Sequence, residues 1–296
     1  MRAVILGAAA GGGLPQWNCR CEGCRAARTG AVPPLTQSSL AIRAEDGPWH
    51  LVNVSPDVRY QLEALGAHYR RADGGDAGAP ASFHDVVLTD AQLDHTLGLL
   101  TLRESPEPLT LHATDTVRRL LTSDFDAGGM LAQWRKVDWH PLRTGEPTRL
   151  AGGLVMTPID LEGPLPRYAG GGTAPGAAVG LVFSEGDATL LYAPCVARLN
   201  DALRGHLATA DCAMLDGTCW SDGEVAHRTA RQMGHVPIDG DDGLLRLLER
   251  VRPPRTILVH LNNTNPVVLP GSPERARLDE LGVEVAVDGM EVRLRP

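Results

Sequence analysis

Aromatic residues make up only 4% of this 296-residue chain, so the core must be built mostly from Leu, Val and Ala. No apolar run approaches the ~18–20 residues of a membrane span, and no membrane contact is expected. There is no basic stripe, and the formal net charge is −8, which argues against nucleic-acid binding. The apolar part of Met1 to Gly7 is too short for a signal peptide and runs directly into a glycine-rich loop. The chain is therefore expected in the cytoplasm. That loop, with Gly11-Gly12-Gly13, is not a dinucleotide fingerprint, because Pro15 intervenes and no helical pattern opens behind it.

What remains is globular: 43% hydrophobic and 22% charged residues, read as one domain over 1–296. Six cysteines in a cytoplasmic chain point to metal or buried thiols, not disulfides. Cys19, Cys21 and Cys24 are spaced Cys-x-Cys-x-x-Cys. Thiolates at this spacing can wrap one soft or borderline ion, and a fourth ligand from elsewhere would close a structural Zn²⁺ site. Cys195, Cys212 and Cys219 are scattered in apolar contexts and read as small buried hydrophobes. His50, His68, His84, His112, His140, His206 and His227 show no spacing that marks a site.

Residues 2–7, 38–43, 49–54, 83–88 and 109–113 read as strands of a first half. A second half begins near Trp134, with strands over 137–142, 148–150, 154–159, 178–184, 189–193, 212–216 and 256–259. Residues 283–287 and 290–294 read as a closing hairpin over Asp288-Gly289. Helical patterns begin at 61–65 and 96–102 and cover 116–121 and 243–252. Residues 70–80 read as a loop, 123–133 as an irregular segment over the site, and 162–176 as a flexible Gly/Pro loop. Adjacent strands, then strands alternating with helices, in two halves, predict an α/β (α+β) sheet sandwich covered by helices on both sides.

Several predicted strands end in metal-ligand residue types. Asp85 to Leu88 lead into Asp90-Ala91-Gln92-Leu93-Asp94-His95, 212–216 end in Asp216, and 256–259 deliver His260. His235 stands just before a helix, and Asp57 reads as a backbone-organising acid. A carboxylate beside an imidazole suits Zn²⁺, Fe²⁺ or Mn²⁺, although Asp94 could equally cap the following helix.

The order of these segments resembles the metallo-β-lactamase superfamily, whose fold is a βα/αβ four-layer sandwich. Its signature is His-x-His-x-Asp-His after a strand, then a later His, a strand-end Asp and a strand-end His. Here the signature position reads Asp90-x-Gln92-x-Asp94-His95. The resemblance implies that the first-metal histidines are absent, with no replacement near Leu161-Glu162-Gly163. It also implies that the second-metal set is kept: Asp94, His95 and His260, with Asp216 as the usual bridging acid. Residues 9–19 and 36–39, Asp216-Gly217-Thr218, Met233-Gly234-His235 and the run from His260 to Pro266 are similar to the B family of pyrroloquinoline quinone (PQQ) biosynthesis. Related phosphodiesterases carry the three-Cys cluster as a structural zinc site. Their fourth ligand is a His at the position of Asn263 here, so a carbonyl oxygen of Asn263 or Asn265 becomes the candidate donor.

That family resemblance implies a role in making PQQ, either as carrier of PQQ or its precursor or as an iron-dependent hydroxylase. The hydroxylase would use O₂ to oxygenate the tyrosine ring of a Glu-Tyr diamino acid. The residues favour this description independently. Two histidines and a carboxylate with open positions suit non-haem Fe²⁺, and loss of the first site weakens two-metal hydrolysis. Asp90 and Gln92 are expected to orient a substrate amine, to donate hydrogen bonds in place of the lost metal, or simply to cap a strand end. His235 is expected as a proton shuttle or partner of the site, or as a structural histidine at a helix start. A metal-dependent phosphodiester or ester hydrolase and a non-catalytic carrier are the alternatives, and the reading admits a homodimer.

Overall fold

The computed structural model describes residues 1–72, 82–105 and 107–295. Among them, apolar runs bounded by Gly, Pro and Asp pair into two seven-stranded sheets. The first contains β1 (Arg2–Gly7), β2 (Ser39–Arg43), β3 (His50–Val52), β4 (Asp85–Val87), β5 (Leu109–Ala113) and β6 (Val137–Pro141). The second contains β7 (Thr148–Arg149), β8 (Val155–Asp160), β9 (Val179–Glu185), β10 (Ala188–Ala193), β11 (Cys212–Asp216), β12 (Arg255–Val259) and β13 (Val283–Val285). The last strand, β14 (Glu291–Arg293), returns to the first sheet beside β1.

Each sheet is antiparallel on one side and parallel on the other, with β3 to β6 and β10 to β13 running parallel in order. Parallel neighbours need crossovers, and these carry the helices onto the outer faces. Leu40, Ile42, Val52 and Val87 face Phe183, Leu190 and Tyr192 in the shared core. Ser38 and Tyr192 hydroxyls meet across it at 3.2 Å. The carboxyl ends of β4, β10, β11 and β12 come together along one edge, where ligands of open parallel sheets gather.

The closing hairpin does not form. Ala286 donates to Leu258 O in the second sheet, while Gly289 donates to Ile5 O in the first. The turn therefore carries the chain from one sheet to the other, and strand periodicity gives no information on which sheet a strand joins. Residues 70–72 extend the helix Val58–Ala72, and the rest of the expected 70–80 loop lies outside the described residues. Residues 123–133 fold into the helix Ala127–Leu131, whose Ala127 and Leu131 pack with Leu99 and Leu102 and not over the site. The helix expected over 243–252 is confined to Leu244–Leu248. His50 and His112 are not isolated core residues. His50 lies between the Asp85 carboxylate and the Ala151 carbonyl (3.0 Å), and His112 Nε2 stands 3.1 Å from Asp85.

Asp288 holds the crossing between sheets by accepting from Ala8 N (2.9 Å), Thr36 N (2.7 Å) and Thr36 Oγ1 (2.7 Å). Burial penalises its charge more than these bonds relieve it, the Asp57 charge adds to the penalty, and the carboxyl is pushed up to about 6. A raised acid holds a proton in the folded chain that the unfolded chain has released. Its contribution is complete below about pH 4 and is lost as pH rises through about 6. Over that window the wild-type stability, taken relative to Asp288→Asn, is expected to fall by about 2–3 kcal/mol, measured by urea unfolding.

Candidate metal centre

Beyond β4 the backbone is pinned before the turn: Thr89 N donates to Asn53 Oδ1 (3.0 Å), and Asn53 Nδ2 donates to Thr89 Oγ1 (2.9 Å). Asp90 is buried there, and its oxygens accept from Gln92 N (2.9 Å) and Thr89 Oγ1 (2.8 Å). Both oxygens also receive His95 Nδ1–H, at 2.9 and 2.8 Å. That bond fixes the imidazole tautomer and leaves Nε2 as the free nitrogen. His95 Nε2 is fully buried and has no partner among the described residues. It stands 4.0 Å from Asp94 Oδ2. A buried polar atom without a partner is costly, and one aimed at a carboxylate fits a metal ligand.

Asp94 does not cap. The short helix Leu93–Thr96 has Gln92 at its N-cap with no side-chain bond, and the Asp94 carboxylate turns toward His260 Nε2 at 3.3 Å. Gly11 passes close behind, where a β-carbon would lie 3.3 Å from Asp94 Oδ2. His260 itself has a left-handed backbone (φ 56°), which a β-carbon disfavours. It is held by Leu261 N on Ala8 O (2.8 Å) and Asn262 N on Thr218 O (3.1 Å).

Asp216, at the end of β11, organises the other side. Its Oδ1 accepts from Thr218 N (3.0 Å) and Thr218 Oγ1 (2.7 Å), and Thr218 Oγ1 accepts His260 Nδ1–H (2.8 Å). Its Oδ2 accepts from Val196 N and His235 Nδ1–H, each at 2.7 Å. Both rings therefore keep Nε2 as the free nitrogen, and they stack at 5.2 Å. Asp216, expected as the bridging acid of a metal site, has both oxygens hydrogen-bonded to the protein, and its carboxylate clusters with ligand atoms of His235 and His260 within 4.8 Å.

The charges match this arrangement. Burial works against a charged His95, but Asp90 and Asp94 outweigh it and raise the ring to about 9. Burial lowers His260. Burial opposes ionisation of Asp90 and Asp94, yet the facing histidines hold both below the usual carboxylate range. A metal ion would take the place of the His95 proton.

Asp90, Asp94 and His260 line a cavity of about 600 Å³. Gln92 and His235 border it, as do Pro164, Leu165 and Arg167 from the Gly/Pro segment. That segment is closed by Leu165 N donating to Gly172 O (2.8 Å) and tied to the strand end by Tyr168 Oη donating to Ala91 O (2.7 Å). Its run of glycines at 170–172 supplies the positive φ angles the turn requires.

The three cysteines converge at the N-terminus of the helix Glu22–Thr29 and against the loop after His260. Asn263 brings its carbonyl oxygen to 3.1 Å from Cys21 Sγ and its amide head to 3.4 Å from Cys24 Sγ. Gly23 permits this, since a β-carbon there would come within 2.8 Å of Asn263 O. Asn265 is occupied elsewhere, donating to Gly217 O (2.8 Å) and accepting from Val267 N (3.1 Å). The Cys21 amide lowers the Cys19 thiol, while burial pushes Cys21 up to about 11. Three thiols and an oxygen donor fit a zinc-like ion.

Residues 48–261 match the model of the Beta-lactamase superfamily domain. The chain is 38% identical to the coenzyme PQQ synthesis protein B of Methylococcus capsulatus, over 98% of this chain and 99% of that protein. It is 41% identical to the Pseudomonas aeruginosa protein of the same description, over 99% and 100%. The chain belongs to the coenzyme PQQ synthesis protein B family. The solved Zn²⁺-bound PqqB of Methylobacterium extorquens shares the fold of this family member with a TM-score of 0.88 at 36% identity, covering 99% of this chain and all 100% of that one. The α/β sandwich expected from the strand order is the fold of the metallo-β-lactamase superfamily.

Sequence reasoning missed several residues in or beside the cavity of this family member, among them Cys195, Thr218 and His227. Cys195 is more than a packing residue: its Sγ lies 3.8 Å from His260 Nε2 and clusters with His95, although burial and the nearby carboxylates push the thiol up. It follows β10 by one turn at Pro194, and a lone cysteine has no spacing to reveal it. Thr218 relays Asp216 to His260, for which Asp216-Gly217-Thr218 was a signal. His227 lines the cavity, which nothing in its neighbourhood announced.

Proposed function

We propose that this chain acts in PQQ synthesis as an iron-dependent oxygenase with a single active-site ion. Its substrate is a Glu-Tyr diamino acid, hydroxylated on the tyrosine-derived ring. The observation that carries this reading is the engagement of Asp90. Both its oxygens are bonded to His95, Gln92 and Thr89, so the position that would hold a first ion instead orients a ligand for the second. Lactamase-type hydrolysis clamps attacking and leaving oxygens between two ions, and the side chains at 90 and 92 offer no imidazole for the missing one. The names of the curated relatives support the pathway, and the Zn²⁺-bound relative supports an occupied metal site.

Asp94, His95 and His260 would hold the ion, with Cys195 in reach. Fe²⁺ held there supplies activation of O₂. The chain's own groups do the rest. Asp90 and the Asp216–Thr218 pair lock the two imidazoles. Asp216 also orients His235, whose Nε2 can move the phenol proton to and from the cavity. One oxygen atom of O₂ enters the ring and the other leaves as water, with two electrons and two protons from an external reductant.

The test is anaerobic loading with Fe²⁺, then exposure to O₂, a reductant and the diamino acid. The product is expected to gain one oxygen atom, with Fe²⁺ but not Zn²⁺, and Cys219→Ser is expected to leave turnover unchanged. Tight binding with no mass change would replace the oxygenase by a carrier.

A further inference from the structure

The acids of the metal cavity face histidines, but two of its cations have no counterpart. Arg167 opens the short turn Arg167–Ala169, and Arg228 lies just before the helix Ala230–Met233. Both residues line one cavity, from different loops, with Arg167 exposed and Arg228 half-buried. Neither side chain has a hydrogen bond or ion pair with any described residue. Elsewhere in this acidic chain arginines do pair: Arg255 with Glu284 (2.6 Å), Arg277 with Asp239 (2.9 Å) and Arg119 with Asp124 (2.9 Å).

Both backbones are braced. The Arg167 turn is tied to the metal-bearing strand end by Tyr168 Oη on Ala91 O (2.7 Å). The Arg228 segment is tied by Ala230 N on Asp222 O (2.9 Å) and Arg231 N on Asp222 Oδ1 (3.0 Å). Two arginines without a described partner, on braced loops that line the same cavity as a metal-ligand cluster, are suited to receive carboxylates.

We propose that Arg167 and Arg228 recognise two separate carboxylates of one small amino-acid-derived polycarboxylate, placing its ring against Asp94, His95 and His260. The proposal rests on the substrate class named above: a Glu-Tyr diamino acid carries two α-carboxylates and one side-chain carboxylate. Selection follows from the count, because tyrosine alone can satisfy only one fork.

The experiment separates binding from chemistry. Zn²⁺-loaded protein is titrated calorimetrically with the Glu-Tyr diamino acid, with its methyl esters and with tyrosine. Arg167→Ala and Arg228→Ala are each expected to weaken the diamino acid by about 10–100-fold, Arg→Lys at either position by less, and the esters and tyrosine to bind far more weakly. In the Fe²⁺-loaded enzyme the same changes raise KM with kcat nearly unchanged. Ala variants that bind like wild type, or esters that bind as tightly as the acid, overturn the proposal even if hydroxylation is intact. Weakened binding in the variants without any turnover in wild type leaves the carboxylate receptor standing and removes the oxygenase. Wild-type protein that binds neither the diamino acid nor PQQ overturns both.

Discussion

His95→Ala is expected to lose the active-site ion and, with it, hydroxylation, while the ion at the three cysteines stays. The reason is geometric. His95 Nε2 is the buried nitrogen with no protein partner, and the two neighbouring ligand atoms, on Asp94 and His260, lie only 3.3 Å apart. Removing the imidazole opens the site and leaves Asp90 buried without the cation or N–H that holds it ionised. Asp90→Asn provides the graded comparison. It keeps the size of the side chain and an oxygen for Nδ1–H but removes the charge, so metal affinity is expected to fall by about 10–100-fold with the ion still bindable at high concentration. His95→Ala must exceed that loss. Elemental analysis of Zn and Fe per chain, with equilibrium metal titration, reads both. A His95→Ala protein that retains a full second equivalent would place the ion elsewhere.

The second large effect is expected at Cys24. This thiol is fully buried, accepts from Gln16 N at 3.3 Å and lies 3.4 Å from the Asn263 amide. The cluster joins the first helix and the loop before it to the loop that carries His260, which is distant in sequence; Leu261 N on Ala8 O and Ala10 N on Leu261 O (both 2.8 Å) are further bonds between these loops. An ion bound only by the folded arrangement contributes its binding free energy to folding. Cys24→Ser is expected to lose that ion and several kcal/mol of stability, seen as a fall in Tm of about 10 °C or more. A strong chelator should bring wild-type protein to or below that Tm and shift the variant less, since only its active-site ion is left to remove. Because Asn263 sits only three residues past His260, the variant should also bind its active-site ion more weakly. Equal Tm values for wild type, chelated wild type and Cys24→Ser would reduce the three cysteines to packing.

Much of the centre was legible in the chain. The Asp94-His95 pair after a strand, a strand ending before His260 and the Cys-x-Cys-x-x-Cys spacing are local patterns. They survive folding because a strand's end fixes where its next residues emerge. The sandwich followed for the same reason, since strand periodicity and intervening helices restrict how layers stack. Asn263 was reachable because it sits three residues past a recognisable histidine.

Other features depended on partners far away in sequence. Period-two alternation sets the face a strand presents but not the sheet it joins, so 283–287 and 290–294 looked like one hairpin although Ala286 and Gly289 pair with opposite sheets. The role of Asp90 needed the position of His95 Nδ1, because a strand-end acid looks alike as cap, ligand or histidine partner. Cys195 and Arg228 reach the cavity from loops whose sequences carry no periodic signal. Sequence alone thus determined the layered fold, the strand ends that carry Asp94, His95, Asp216 and His260, and the three-thiol cluster. Only the tertiary structure decided which oxygens and nitrogens remain free, because hydrogen bonds between distant segments consume some of them and leave others facing the cavity.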